Sequence, residues 1–175
     1  MNDTARKRIL LIGCRGCGKT TVGKRLAEML EWDYLSTDQL IEEKEQMQIG
    51  KIVEEKGWDY FRKSEADVVR ELHRSQNSVI DAGGGVVIEH PMEIEKLLNS
   101  TMVVWIDANL QDVIARLKND DSRPLLVHKD PVDDIRFNYE KRRPVYEDLT
   151  ELRFNTSLES VEEICDRIIK EMRQL

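Results

Sequence analysis

An α/β fold, with a parallel sheet covered by helices on both faces, follows from three features of this 175-residue sequence. Short apolar runs alternate with longer stretches of helical periodicity, the order that builds a parallel sheet. Two of the runs, Ile9-Leu10-Leu11-Ile12 and Met102-Val103-Val104-Trp105-Ile106, are apolar without alternation, as in strands buried on both faces. A glycine-rich loop follows the first of these runs and opens a helical stretch.

Taken in order, the strands predicted are residues 8–12, 34–37, 78–82, 102–106 and 152–155. Val22, Leu26, Met29 and Leu30 share one face of the first helix. Val161, Ile164, Cys165, Ile168, Ile169 and Met172 mark the last, with Ser160 and Glu163 spaced as a capping box at its start. Residues 39–76 are too many for a simple crossover and read as two or three inserted helices with a turn near Lys56-Gly57. Residues 118–134 are polar, contain Arg123-Pro124 and read as a mobile loop. With no repeat, low-complexity tract or linker, residues 1–175 are expected to form one domain.

Composition narrows the function classes. A formal net charge of −7 argues against a nucleic-acid partner, which needs a basic surface. The one dense basic run, Lys141-Arg142-Arg143, reads on composition as a solvated helix face. No stretch approaches the ~20 apolar residues of a membrane span, so no membrane partner is expected. Residues 1–7 lack the apolar core of an export signal, and three cysteines then suit a reducing cytoplasm. The three histidines show no metal-ligand spacing.

Gly13-Cys14-Arg15-Gly16-Cys17-Gly18-Lys19-Thr20 matches GxxxxGK[ST], the P-loop, at every fixed position. Between a strand and a helix, such a loop turns successive N–H groups onto phosphates and adds the positive end of the helix. Gly13, Gly16, Cys17, Gly18 and Thr21 are therefore assigned to ATP binding, with Lys19 reaching the β- and γ-phosphates and Thr20 placing its hydroxyl on Mg²⁺. Cys14 and Cys17 also form a C-x-x-C spacing, a redox or metal signature that lacks a partner pair here.

Four further segments require a joint explanation: Leu35-Ser36-Thr37-Asp38, Phe61-Arg62-Lys63-Ser64-Glu65, Ala82-Gly83-Gly84-Gly85, and Arg123-Pro124-Leu125-Leu126 with Arg142-Arg143-Pro144-Val145-Tyr146. If the second strand runs through Asp38, Ser36 and Asp38 share a side at the carboxyl end of the sheet, where ligands of such folds bind. Asp38 would hold an acceptor hydroxyl or take its proton, or else cap the helix that follows. Gly83, Gly84 and Gly85 leave bare backbone for a ligand to approach, or form an ordinary loop. Arg62 and Arg142 suit a bidentate clamp on a carboxylate, with Glu65 aiming Arg62 from one helical turn away.

With the P-loop, and in this order, these segments resemble the shikimate kinase family over nearly the whole chain. The resemblance implies a nucleoside-monophosphate-kinase-like fold, a three-layer P-loop NTPase with strand order 2-3-1-4-5. It implies an acceptor-binding insertion at about 38–75 and a lid at about 117–130. The implied reaction is ATP-dependent phosphorylation of the 3-hydroxyl of shikimate by a monomer. On the same grounds Asp38, Arg62, Gly84 and Arg142 match shikimate-binding positions, with Gly83 and Gly85 beside Gly84 as further substrate-binding candidates, Arg116 matches the adenine-stacking arginine and Arg123 the lid arginine. Asp38, Lys19 and Arg123 are then the catalytic set.

Two positions depart from the family pattern. Where the family has Asp-x-Asp, its first aspartate supporting Mg²⁺ through water, this chain has Ser36. Asp81, at the end of the third strand, is the candidate to take over that charge, the alternative being a turn residue before the glycines. Trp58 follows Gly57 where the family often has glutamate, and it either packs the inserted helices or lines the acceptor pocket. Rival readings are a P-loop kinase for another small acceptor and a non-catalytic protein that binds ATP or shikimate.

Overall fold

A computed structural model describes residues 8–117, 130–150 and 152–174. Five strands, β1 (Arg8–Ile12), β2 (Asp33–Ser36), β3 (Ser78–Asp81), β4 (Thr101–Asp107) and β5 (Arg153–Asn155), form one parallel sheet in the order β2-β3-β1-β4-β5. The order is the one implied by the resemblance. Around the sheet lie α1 (Lys19–Leu30), α2 (Thr37–Glu45), α3 (Ile49–Leu72), α4 (Val86–Glu89), α5 (Pro91–Leu98), α6 (Leu110–Leu117), α7 (Pro131–Leu149) and α8 (Val161–Gln174).

The unbroken apolar run of β1 has a direct cause. Leu10 and Ile12 enter a core with Ile80, Phe61 and Trp105, while Ile9 and Leu11 enter a second core with Val22, Leu26 and Val104. Alternate side chains serve opposite faces, so none of the four positions from Ile9 to Ile12 is left for a polar residue. Full burial of each such side chain contributes about 1.5–3 kcal/mol relative to exposure. The second core is closed by α8, whose capping box forms as predicted: Ser160 N donates to Glu163 Oε2 at 2.9 Å, and Glu163 N to Ser160 Oγ at 3.3 Å.

The long segment after β2 resolves into α2 and a kinked α3. Gly57 adopts φ 83° and ψ 168°, a conformation strained for any residue with a side chain, and breaks the helix where the turn was expected. Two predicted boundaries need correction. β2 ends at Ser36, because the Ser36 hydroxyl accepts from Gln39 N and starts α2; Asp38 therefore sits in the first helical turn rather than on the strand. The polar stretch predicted as loop up to residue 134 ends earlier, since Asp130 caps α7 by accepting from Val132 N (2.9 Å) and Asp133 N (3.1 Å). Residues 118–129, and with them Arg123 and nearly all of the expected lid, lie outside the described residues.

Candidate active site

The P-loop joins β1 to α1. Gly13 adopts φ 141°, and a Cβ there would lie 2.1 Å from the carbonyl oxygen of Ile106, so no larger residue fits. Gly18, at φ 97°, is the residue that turns the loop into α1. Lys19 is buried, and its Nζ donates to Gly13 O (2.9 Å) and Cys14 O (3.1 Å), which brackets the loop from inside. Burial opposes its charge, but the carboxylates of Asp81 and Asp38 help hold its pKa above the usual lysine value. The ammonium therefore stays protonated in the cleft.

Thr20 Oγ1 donates to Asp81 Oδ2 at 2.8 Å, and the Tyr34 hydroxyl donates to the same oxygen at 2.8 Å. The register brings this about: Asp81 at the end of β3 stands beside Ser36 of β2 and next to Leu11 of β1, two residues before the loop. Burial, followed by the Asp81 charge, pushes the Tyr34 phenol well up, so it remains a donor. Lys19, Thr20, Thr21, Ser36, Asp38 and Asp81 line one cleft of about 580 Å³, which Gly16, Gly18, Gly83 and Arg116 also border. Arg116, at the end of α6, donates to Gly16 O (2.9 Å) and Thr156 Oγ1 (3.2 Å), and this fixes it at the cleft's rim.

A second, smaller cavity of about 110 Å³ adjoins the cleft and shares Arg15 and Gly84 with it. Trp58, Arg62 and Glu65 of α3 form one wall, and Asn138, Tyr139 and Arg142 of α7 another. Between the walls runs the glycine turn. A Cβ at Gly83 would lie 2.8 Å from Asp38 Oδ1, one at Gly84 3.0 Å from Arg142 Nη1, and one at Gly85 3.2 Å from Arg62 Nη1. Each glycine thus makes room for a different one of the three side chains Asp38, Arg142 and Arg62. Tyr146 pins the turn by donating to Gly84 O at 2.6 Å.

Arg62 is held on several sides. Its Nη1 donates to the buried Glu65 Oε2 at 2.6 Å, and its guanidinium lies 5.4 Å from the Trp58 ring and 5.2 Å from the Phe61 ring. Trp58 meets Phe61, three residues further along α3, edge-on at 5.8 Å, and it also lines the cavity. The C-x-x-C thiols are buried. Burial pushes Cys14 up to about 11 and raises Cys17 as well, which leaves both as protonated packing groups rather than thiolates.

With this geometry established, comparison with known proteins is decisive. A family model described as shikimate kinase matches residues 15–173. The chain belongs to the shikimate kinase family. It is 38% identical over 169 residues to a shikimate kinase of Sulfurihydrogenibium sp. (strain YO3AOP1), covering 96% of this chain and 99% of the relative. It is 35% identical over 164 residues to one from Caldanaerobacter subterraneus, covering 94% and 95%. Among solved structures, shikimate kinase from Acinetobacter baumannii in complex with shikimate superposes with a TM-score of 0.87 at 30% identity, covering 96% of this chain and 93% of that one. A gluconokinase from Sinorhizobium meliloti, at 15% identity and a TM-score of 0.60, shares the fold.

Sequence reasoning overlooked several groups that shape the site. Tyr34 on Asp81 was hidden because a tyrosine in a strand reads as core. Arg15 borders both cavities, yet it occupies a variable position of the P-loop pattern. Asp107 at the end of β4 is buried and binds Arg153 at 2.5 Å and the Tyr139 hydroxyl at 3.0 Å, tying α7 and its Arg142 to the sheet. Its position at a strand's carboxyl end was the available signal.

Proposed function

We propose that this protein transfers the γ-phosphoryl group of ATP to the 3-hydroxyl of shikimate, giving shikimate 3-phosphate and ADP. The observation that carries the reading is the glycine turn, where Asp38, Arg142 and Arg62 converge against three consecutive glycines beside the P-loop. The P-loop amides and Lys19 would hold the phosphates, and the Arg62–Arg142 pair would hold the acceptor carboxylate bidentately. Asp38 would accept a hydrogen bond from the attacking hydroxyl and receive its proton as the phosphoryl leaves ADP. Arg116 would stack on the adenine, and Arg123 would steady the charge of the transferring group from the lid. Water exclusion on closure limits hydrolysis.

The residues present fit a magnesium ion. Thr20 and Asp81 offer a hydroxyl and a carboxylate in contact at 2.8 Å on the cleft wall, the hard oxygen donors this ion prefers. When bound with ATP, Mg²⁺ neutralises phosphate charge. Asp81 would take over the supporting charge absent at Ser36, oriented by Tyr34, while the Ser36 hydroxyl, partly engaged in capping α2, would contribute at most through water. In this reading the chain is one monomeric cytoplasmic domain, with an acceptor-binding insertion at about 38–75 and a lid at about 117–130, and with small molecules rather than nucleic acid or membrane as partners. Among the described residues no helix is long and apolar enough to cross a membrane.

The test is ADP release from Mg·ATP with and without shikimate. Turnover is expected only with shikimate, and Asp38→Asn should abolish it. ATP binding without shikimate-stimulated turnover would contradict the assignment.

A further inference from the structure

A phosphate loop binds through its N–H groups, so its carbonyls must turn elsewhere and find partners of their own. Side chains meet four of them. Lys19 Nζ donates to Gly13 O and Cys14 O, Arg116 Nη1 donates to Gly16 O at 2.9 Å, and the Thr156 hydroxyl donates to Cys17 O at 2.7 Å. Lys19 belongs to the loop motif, and Arg116 closes α6. Thr156 follows β5, 139 positions along the chain from Cys17, and no P-loop pattern includes it.

Arg116 Nη1 also donates to Thr156 Oγ1 at 3.2 Å, so this oxygen accepts from the guanidinium while its hydrogen goes to Cys17 O. Asp107 O lies 3.3 Å from the same hydroxyl, but a hydroxyl has one hydrogen and the shorter contact takes it. The result is a chain from Arg116 N–H through Thr156 O–H to the Cys17 carbonyl, each bond polarising the next. Thr156 is itself fixed. Its N–H donates to Asp107 O at 2.9 Å, and its Cγ2 lies over Gly18, where an added Cβ would come within 3.1 Å of it.

We infer that Thr156 is a positioning residue of the nucleotide site: by holding the Cys17 carbonyl it aims the Gly18 N–H at a nucleotide phosphate. The inference rests on the reading of the cleft as the ATP site, and is independent of which acceptor is phosphorylated. The Cys17–Gly18 peptide is planar and trans, so its N–H points opposite to its C=O. Drawing Cys17 O toward Thr156 therefore turns Gly18 N–H the other way. A strong donor on the carbonyl also makes the N–H of the same peptide a stronger donor. The tether exists before any nucleotide arrives, which leaves less of the loop to be ordered on binding.

Two substitutions in the full chain separate the hydroxyl from the methyl. Thr156→Val keeps the shape over Gly18 but deprives Cys17 O of its donor and Arg116 of its acceptor. Thr156→Ser keeps both hydrogen bonds and removes only the methyl. Titration calorimetry with Mg·ADP and no acceptor gives the nucleotide affinity, and displacement of ADP by tripolyphosphate probes the loop without an adenine. Thr156→Val should weaken ADP and tripolyphosphate each by about tenfold. It should raise KM for ATP by a similar factor and leave KM for shikimate within about twofold of wild type. Thr156→Ser should stay within about twofold of wild type in every measurement.

Unchanged ADP affinity in Thr156→Val overturns the inference. So does a Thr156→Ser as weak as Thr156→Val, because packing on Gly18 would then be the whole role. Weakened ADP with unchanged tripolyphosphate overturns it too, since Thr156 would then act on the adenine side through Arg116. Should Thr156→Val fail to fold, Thr156→Ala against Thr156→Ser isolates the hydroxyl, both lacking the methyl. If wild type binds no ADP, the nucleotide reading falls and takes this inference with it. If wild type binds ADP but leaves shikimate unmodified, only the acceptor reading falls, and the calorimetry still decides for or against Thr156.

Discussion

The cleft proposed for the nucleotide takes one wall from a single contiguous turn between β1 and α1, whereas the pocket proposed for the acceptor gathers side chains from α3, the glycine turn before α4, and α7. In the cleft, glycines are fixed by φ or, at Gly13, by a carbonyl that a Cβ would approach to 2.1 Å. In the pocket, side chains do the work and glycines are fixed by the guanidinium and carboxylate groups packed over them. Phosphate recognition needs converging N–H groups, which one short loop can supply. Recognition of a small carboxylated alcohol needs opposed side-chain charges, which a single segment cannot present. The two regions meet at Arg15 and Gly84, where a phosphoryl group would cross.

The contrast predicts separable failures. The largest effect belongs to charged groups on the cleft wall: Lys19→Met and Asp38→Asn should each lower kcat by about 10³-fold or more, measured by coupled ADP release. Arg62→Lys keeps the charge but loses the fork, and should raise KM for shikimate by about 10²-fold with little change in KM for ATP. Equal effects on both substrates would mean that the regions are not separate. Asp81→Asn should raise the Mg²⁺ concentration for half-maximal rate by about tenfold, and weaken Mg²⁺-dependent ATP binding in calorimetry by a similar factor. An unaltered requirement would return the supporting role to another group.

Legibility from sequence follows the same division. The P-loop was readable residue by residue because its spacing is fixed by chain geometry, and β1 and β4 were readable because burial on both faces makes residues 9–12 and 102–106 apolar throughout. The acceptor pocket was readable only as a set, since Arg62, Gly84 and Arg142 each have an ordinary surface or loop explanation when taken alone. What sequence could not show was contact across elements: Tyr34 on Asp81, His90 on Glu65, and Asp107 on Arg153. Asp38 was misplaced by a local competition, because a serine at the strand's end turned β2 into a helix one residue earlier than predicted.

The smallest predicted effect concerns the thiols inside the loop. Cys14 is pushed up to about 11 by burial, above its ordinary value near 9, so the folded state retains a proton that the unfolded chain releases. Its contribution to stability is complete below pH 9 and is lost as pH rises through about 11. The thermal midpoint should therefore fall more steeply with pH above 9 in wild type than in Cys14→Ala. A steeper fall in the variant would show that the thiol is ionised in the folded loop.

The central claim is that the two cavities form one reaction centre for a single phosphoryl transfer. Following shikimate and ATP together by ³¹P and proton NMR tests it most directly. One shikimate phosphorylated at its 3-hydroxyl for each ADP released, with negligible free phosphate, is the predicted result. ADP accumulating with free phosphate while shikimate stays unmodified would contradict it.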